Sequence, residues 1–193
     1  MPRKMGPTRM GRTRTATIAG GLALLALTAV ISGPQARAQP AAPAHPIPQA
    51  IRLEHVEVLA RLTAFSHRRG AVGAEARKLL EMMKVHFRRE EDFIMPPLTL
   101  LQSLSHGQVT PDMKWAVAMA DRVKAERELI FEEHTRITEG QSLLLAAAER
   151  AHDKEVAEFA RGAAADALAD MELMEPMNVV IGDYLRLKLA PAQ

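Results

Sequence analysis

His86 and Glu90 stand four residues apart in the stretch HFRREEDFIMPPL, among apolar neighbours that recur at helical spacing. In a helix, residues four apart are stacked about 6 Å apart on one face. An imidazole and a carboxylate therefore point towards a surface that is otherwise apolar. Similar intrusions occur elsewhere: His55, His134, Asp166 and Asp170 each interrupt an apolar helical stripe. An unpaired carboxylate in an apolar interior costs several kcal/mol by order of magnitude, so three acids and three imidazoles in one layer call for a shared cation. The simpler reading of His86 and Glu90 alone is a hydrogen-bonded pair that staples two helices. The wider pattern favours ligands.

That pattern is an internal repeat. His55 precedes His86 by 31 residues, and His134 precedes Asp166 by 32. His86 to Glu90 and Asp166 to Asp170 are both steps of four, and Pro96 and Pro176 each follow ten residues after the first member. Two helical hairpins of one design each carry a carboxylate ahead of a proline. The chain has no cysteine, so disulfides and thiolate sites are excluded. Imidazole and carboxylate donors without sulfur suit iron, manganese or zinc.

The elements that position these groups are helices. Leu, Ala, Met and Glu dominate the 193 residues, 48% are hydrophobic and only 4% are aromatic. Four amphipathic stripes are legible. The first spans Gln49 to Arg69, with Ile51, His55, Val58, Leu59, Leu62 and Phe65 inward, and Gly70 and Gly73 end it. The second spans Ala74 to Met95, with Ala76, Leu79, Leu80, Met83, His86, Glu90 and Phe93 on its inner face, and breaks at Pro96 and Pro97. A short apolar piece, Leu98 to Leu104, follows it. The third starts behind the Thr110 cap and Pro111 and runs towards Glu149, with Gly140 as its weak point. The fourth starts near Asp153, presents Val156, Phe159, Ala163, Asp166, Asp170, Leu173 and Met174 inward, and kinks at Pro176. Short connections between such stripes predict an all-α fold, an up-down antiparallel four-helix bundle with short extra helical segments.

Ahead of the helices, residues 1–38 carry six basic residues and no acid, with an uncharged, mostly apolar run from Thr17 to Ile31 and ARA at 36–38. This reads as a secretory signal peptide cleaved after Ala38, giving a periplasmic or secreted protein without a membrane span. Residues 39–50 hold four prolines and read as an extended linker. Without the first 38 residues, 19 basic side chains face 23 acidic ones, a net charge of −4. The basic balance belongs to the leader and does not point to nucleic acid. No serine triad, phosphate loop or basic stripe is present.

The segments LEHVEVLARL, VHFRREEDFIMPPL, FEEHTRI and EPMNVVIGDYL together resemble the hemerythrin-like (HHE cation-binding) family over about residues 51–188. The resemblance implies a non-haem di-iron centre that meets O2 or peroxide. It makes His55, His86 and His134 ligands, Glu90 the first bridging carboxylate and Asp170 the second. The chain departs from the family at Asp166, where a histidine is expected. An acid there is harder and more anionic than imidazole, which favours ferric iron and argues against reversible oxygen carriage. The expected role is thus an exported metal-binding protein that binds or senses oxygen species or iron, with another divalent metal as the substitute. The alternative is a metal-free helical bundle acting as an interaction protein of the envelope. An oxidase or peroxidase activity ranks last, because no substrate pocket is legible. Glu91, Asp92, Glu132 and Glu133 read as solvated helix-face charges, and His45, His67, His106 and His152 as uninvolved.

Overall fold

The computed structural model of the chain describes residues 45–191, apart from the side chains of 164–170. The expected signal peptide and the first part of the linker lie outside the described residues. What is described is helical throughout, with no strand. Helices α1 (Gln49–Ser66) and α2 (Gly70–Arg89) form the first hairpin. A π-helical turn, Glu90–Ile94, extends α2, and a 3-10 turn, Pro96–Leu100, leads into the short α3 (Leu101–Ser105). Another 3-10 turn, Pro111–Lys114, opens α4 (Trp115–Ala125), which is followed by α5 (Arg127–Arg150). Then come α6 (Lys154–Ala169), a second π-helical turn (Asp170–Met174) and α7 (Glu175–Lys188). Among the described residues no helix is long and apolar enough to cross a membrane.

Helix α1 packs on α2, α2 on α5, α5 on α6, and α4 on α7. Two apolar clusters result. One gathers Leu62, Phe65, Leu79, Met83, Ile137, Leu144, Val156 and Phe159. The other gathers Ile47, Phe93, Ile94, Met95, Val123, Ile130, Ile181 and Leu185. Along α2 the chain passes from Met83 in the first cluster, through His86 and Glu90, to Phe93 in the second. Along α5 it passes the other way, from Ile130 through His134 to Ile137. The polar side chains thus form a layer between two apolar blocks.

Four features differ from the sequence expectation. Helix α1 ends at Ser66, and Gly70 and Gly73 belong to α2. A Cβ on Gly73 would lie 1.9 Å from the Arg68 carbonyl oxygen, so glycine lets the turn close against the helix behind it. The long third helix breaks at Glu126, where φ is −98° and ψ is 9°, and not at Gly140. Gly140 sits inside α5 because a Cβ there would come within 2.6 Å of the Met82 methyl, a demand of packing and not of chain flexibility. The Pro-rich segment is packed at its end: His45 stacks on Trp115 with ring centroids 3.9 Å apart, and Ile47 is buried.

The fourth difference concerns Leu173, which was expected inward and is exposed. Each π turn lies just ahead of a proline, Pro96 or Pro176. Proline lacks an N–H and its ring displaces the carbonyl four residues back, so the upstream chain widens to bonds spanning five residues. One such bond runs from the Met95 N–H to the Glu90 carbonyl at 2.8 Å. The extra residue advances the register by one. Past Asp170 the inward face therefore reaches Glu175 and Asn178 and leaves Leu173 outside.

Candidate metal centre

Helix α2 and its π turn bring His86 and Glu90 into the polar layer, α1 brings His55, and α5 brings His134. All four are buried, with Glu90 only 1% exposed. Glu90 is the hub. Its Oε1 lies 3.1 Å from His86 Nε2, and its Oε2 lies 3.2 Å from His55 Nε2, off the angle of a hydrogen bond. The His86 and His134 rings meet edge to face at 4.7 Å. His55 is stacked on Phe87 at 3.8 Å.

Each imidazole is held from outside through Nδ1. His86 Nδ1 donates to Glu133 Oε1 at 3.2 Å, His55 Nδ1 to Glu91 Oε1 at 2.9 Å, and His134 Nδ1 to the Ile130 carbonyl at 3.0 Å. Carboxylates and carbonyls only accept, so each contact places a proton on Nδ1. In the neutral ring this leaves the Nε2 lone pair free. His134 Nε2 is buried and has no hydrogen-bond partner, and neither has Glu90 Oε2. Buried polar atoms without partners are rare and mark strain, catalysis or a missing ion.

Charge is balanced closely in this layer. Burial opposes a charge on His86, but hydrogen bonds and attraction from Glu133 and Glu90 outweigh it and raise its pKa to about 9. Burial likewise opposes ionisation of Glu90, and His55 and His86 overcome it, lowering the carboxyl to about 2. His55 is raised in the same way, against burial, by Glu90 and Glu91. His134 goes the other way: burial and the neighbouring His86 charge hold it below its ordinary value.

Three residues of this site were misread or missed in the sequence. Glu133 is buried; it accepts from His86 and also from Arg89 Nε at 2.9 Å, and Arg89 in turn reaches Glu126 at 2.6 Å. Glu91 is half-buried and holds His55. Both had looked like solvated charges, with Arg88 a helical turn ahead of Glu91 and Arg136 a turn beyond Glu133. Asp92 and Glu132 are exposed, as expected. Glu175 was missed altogether. Its Oε1 is buried without a partner and lies 3.5 Å from His134 Nδ1 without hydrogen bonding it. Burial, and then repulsion from Glu90, raise its carboxyl to about 7. The step of five from Asp170 to Glu175 follows from the π turn, and a proline placed as Pro96 is was the signal that could have disclosed it.

The backbone of Asp166 lies in α6 and that of Asp170 opens the second π turn, but their side chains are outside the described residues. His67 and His106 are exposed at the ends of α1 and α3, and His152 is exposed with φ 56°. The chain matches no family model, no curated protein and no solved structure. The donors speak for themselves. One atom from each of His86, Glu90 and His134 lies within 4.8 Å of the other two, and this buried group could hold a metal ion.

Proposed function

We propose that this chain is a hemerythrin-like four-helix bundle that holds non-haem iron, up to a di-iron centre, and through it binds or senses oxygen or peroxide. One observation carries the metal reading: three imidazoles, each pinned through Nδ1, face one buried carboxylate, while His134 Nε2 and Glu90 Oε2 lack partners. Ligand histidines characteristically donate their far N–H to a carboxylate or carbonyl, which fixes the tautomer and raises basicity. The donor set is nitrogen and oxygen without sulfur, which suits iron, manganese or zinc. The alternation of apolar clusters along α2 and α5 supports antiparallel rods around the layer.

His86, Glu90 and His134 would hold the ion, with His55 and Glu175 as further donors at its edges. Bound iron supplies the redox chemistry and affinity for oxygen species that side chains lack. Glu133 and Glu91 orient imidazoles, and Arg89 keeps Glu133 ionised. A cleft of about 350 Å³ bordered by Lys124, Arg127, Met171 and Glu175 lies against the Glu175 edge of the layer. The proposed export rests on the composition of residues 1–38.

The test is anaerobic loading with ferrous iron, then zinc and manganese in parallel, with metal content and the optical spectrum on exposure to oxygen. Stoichiometric uptake that fails in His134→Leu supports the reading. A folded chain that takes up none of the three metals ends it. The second reading is a metal-free staple, favoured by the contacts that already surround His86 between Glu133 and Glu90. In that case the double substitution His86→Leu, Glu90→Met leaves the protein as stable or more so.

A further inference from the structure

We infer that Asn178 is the positioning residue of the centre, setting where Glu90 and Glu175 stand relative to each other; this rests on the metal-site reading above. The need for it is written in the backbone. Glu90 is the first residue of the π turn that ends at Ile94. The carbonyls of Phe93 and Ile94 face inward at the end of that turn, and both residues are 1% exposed. The helical donors for Phe93 would be residues 96 and 97, and both are proline. For Ile94 they would be Pro97 and Leu98, and the Leu98 N–H already bonds the Met95 carbonyl at 3.1 Å. Two buried carbonyls are thus left without a donor from their own helix, which buried backbone groups rarely tolerate.

Asn178 supplies both. It is completely buried, and its Nδ2 donates to the Phe93 carbonyl at 2.9 Å and to the Ile94 carbonyl at 2.7 Å. An amide nitrogen carries two N–H groups, so its donors are used up by this pair. Asn178 lies on α7 three residues after Glu175, which puts the two on one helix face. The same side chain therefore locks the turn that carries Glu90 to the helix that carries Glu175. Its Oδ1 has no hydrogen-bond partner, so its hydrogen bonds go only to the turn. Leucine would fill the same space but leave both carbonyls bare.

The experiment compares wild type, Asn178→Leu, Pro97→Ala, the double variant, and Leu144→Ala as a control in the first apolar cluster. The readouts are ferrous-iron affinity and, in the metal-free chain, the histidine ring resonances. In Asn178→Leu, iron affinity should fall by about tenfold or more, the range of outer-shell losses. The His55 and His86 resonances should also move, because both rings contact Glu90. Pro97→Ala restores an N–H four residues beyond Phe93, so the double variant should recover much of the affinity; this also keeps the test open if the single variant folds poorly. Leu144→Ala should lower stability while leaving affinity and both resonances near wild type. Asn178→Leu with wild-type affinity and unmoved resonances overturns the inference. Failure of wild type to bind iron sinks the metal reading instead, and the resonances still decide the role of Asn178.

Discussion

His134 is an awkward residue for a metal-free protein. Its Nε2 is buried without a partner, burial and His86 both hold its pKa down, and its one hydrogen bond runs from Nδ1 to the Ile130 carbonyl of its own helix. Removing a buried polar group that lacks a partner is neutral or stabilising, whereas removing one member of a pair costs about 1–3 kcal/mol. His134→Leu should therefore leave the thermal midpoint of the metal-free chain unchanged or raised, while iron uptake is lost. A large fall in midpoint with uptake intact would show that His134 is a structural residue. Glu133 makes the complementary case. Glu133→Gln still accepts from His86 but loses the charge that holds the ring and meets Arg89. Metal affinity should drop by about 10- to 100-fold with helical content unchanged, as outer-shell partners usually give. Isothermal titration with ferrous iron under argon reads that number.

The two π turns decide which residues of the last helices reach the interior, and substitutions can read that register directly. Leu173 is 58% exposed, so Leu173→Ala should change stability by no more than about 0.5 kcal/mol. Ile181→Ala, at a buried position of α7, should cost about 2–5 kcal/mol. Urea unfolding of the two variants checks this, and equal losses would place the register elsewhere. Gly182 tests the contact of α7 with α4: a Cβ there would lie 2.2 Å from that of Ala120, so Gly182→Ala should cost about 1–3 kcal/mol through overpacking. These elements also mark how far the sequence could be read. Most of the apolar stripe of α2 was legible: Ala76, Leu79, Leu80, Met83, His86, Glu90 and Phe93 are all buried, because the chain there is regular up to the π turn, whereas Val72 and Phe87, also buried, were not read as inward. His55 and His134 were legible for the same reason. Glu175 was not, because a periodicity of 3.6 carries no record of an inserted residue, and the turn is set by what Pro176 forbids upstream. Glu133 and Glu91 were hidden differently: Arg136 and Arg88, one helical turn from them in sequence, suggest surface pairing until α2 and α5 are brought together. The break at Glu126 has no glycine or proline to announce it.

For the molecule as a whole, the polar layer makes stability depend on pH, and the sign of that dependence separates a metal site from a staple. Take the metal-free chain first. His86 titrates near 6.5 when unfolded and at about 9 when folded, so its contribution is complete below 6.5 and is lost as pH rises through 9. Glu175, raised from 4.5 to about 7, adds a loss of the same sign that begins at 4.5 and is complete once pH has risen through 7. Glu90, lowered from 4.5 to about 2, acts at the other end: its contribution holds above 4.5 and fades as pH falls through 2. From these three groups, unfolding free energy should be highest near pH 4.5, decline from there as Glu175 ionises, and go on declining from 6.5 to 9. A bound cation inverts the alkaline part. It must displace the His86 proton, so its apparent affinity rises by about tenfold per pH unit for that one proton until His86 is neutral. A ligand that binds only the folded chain stabilises it by an amount that grows with affinity. With iron held at fixed concentration, stability should climb across the interval where the metal-free chain weakens. Denaturant titrations at half-unit steps from pH 6 to 9, with and without ferrous iron, should diverge steadily. Parallel curves, both falling, would mean that the proton on His86 is the only cation this layer was built to hold.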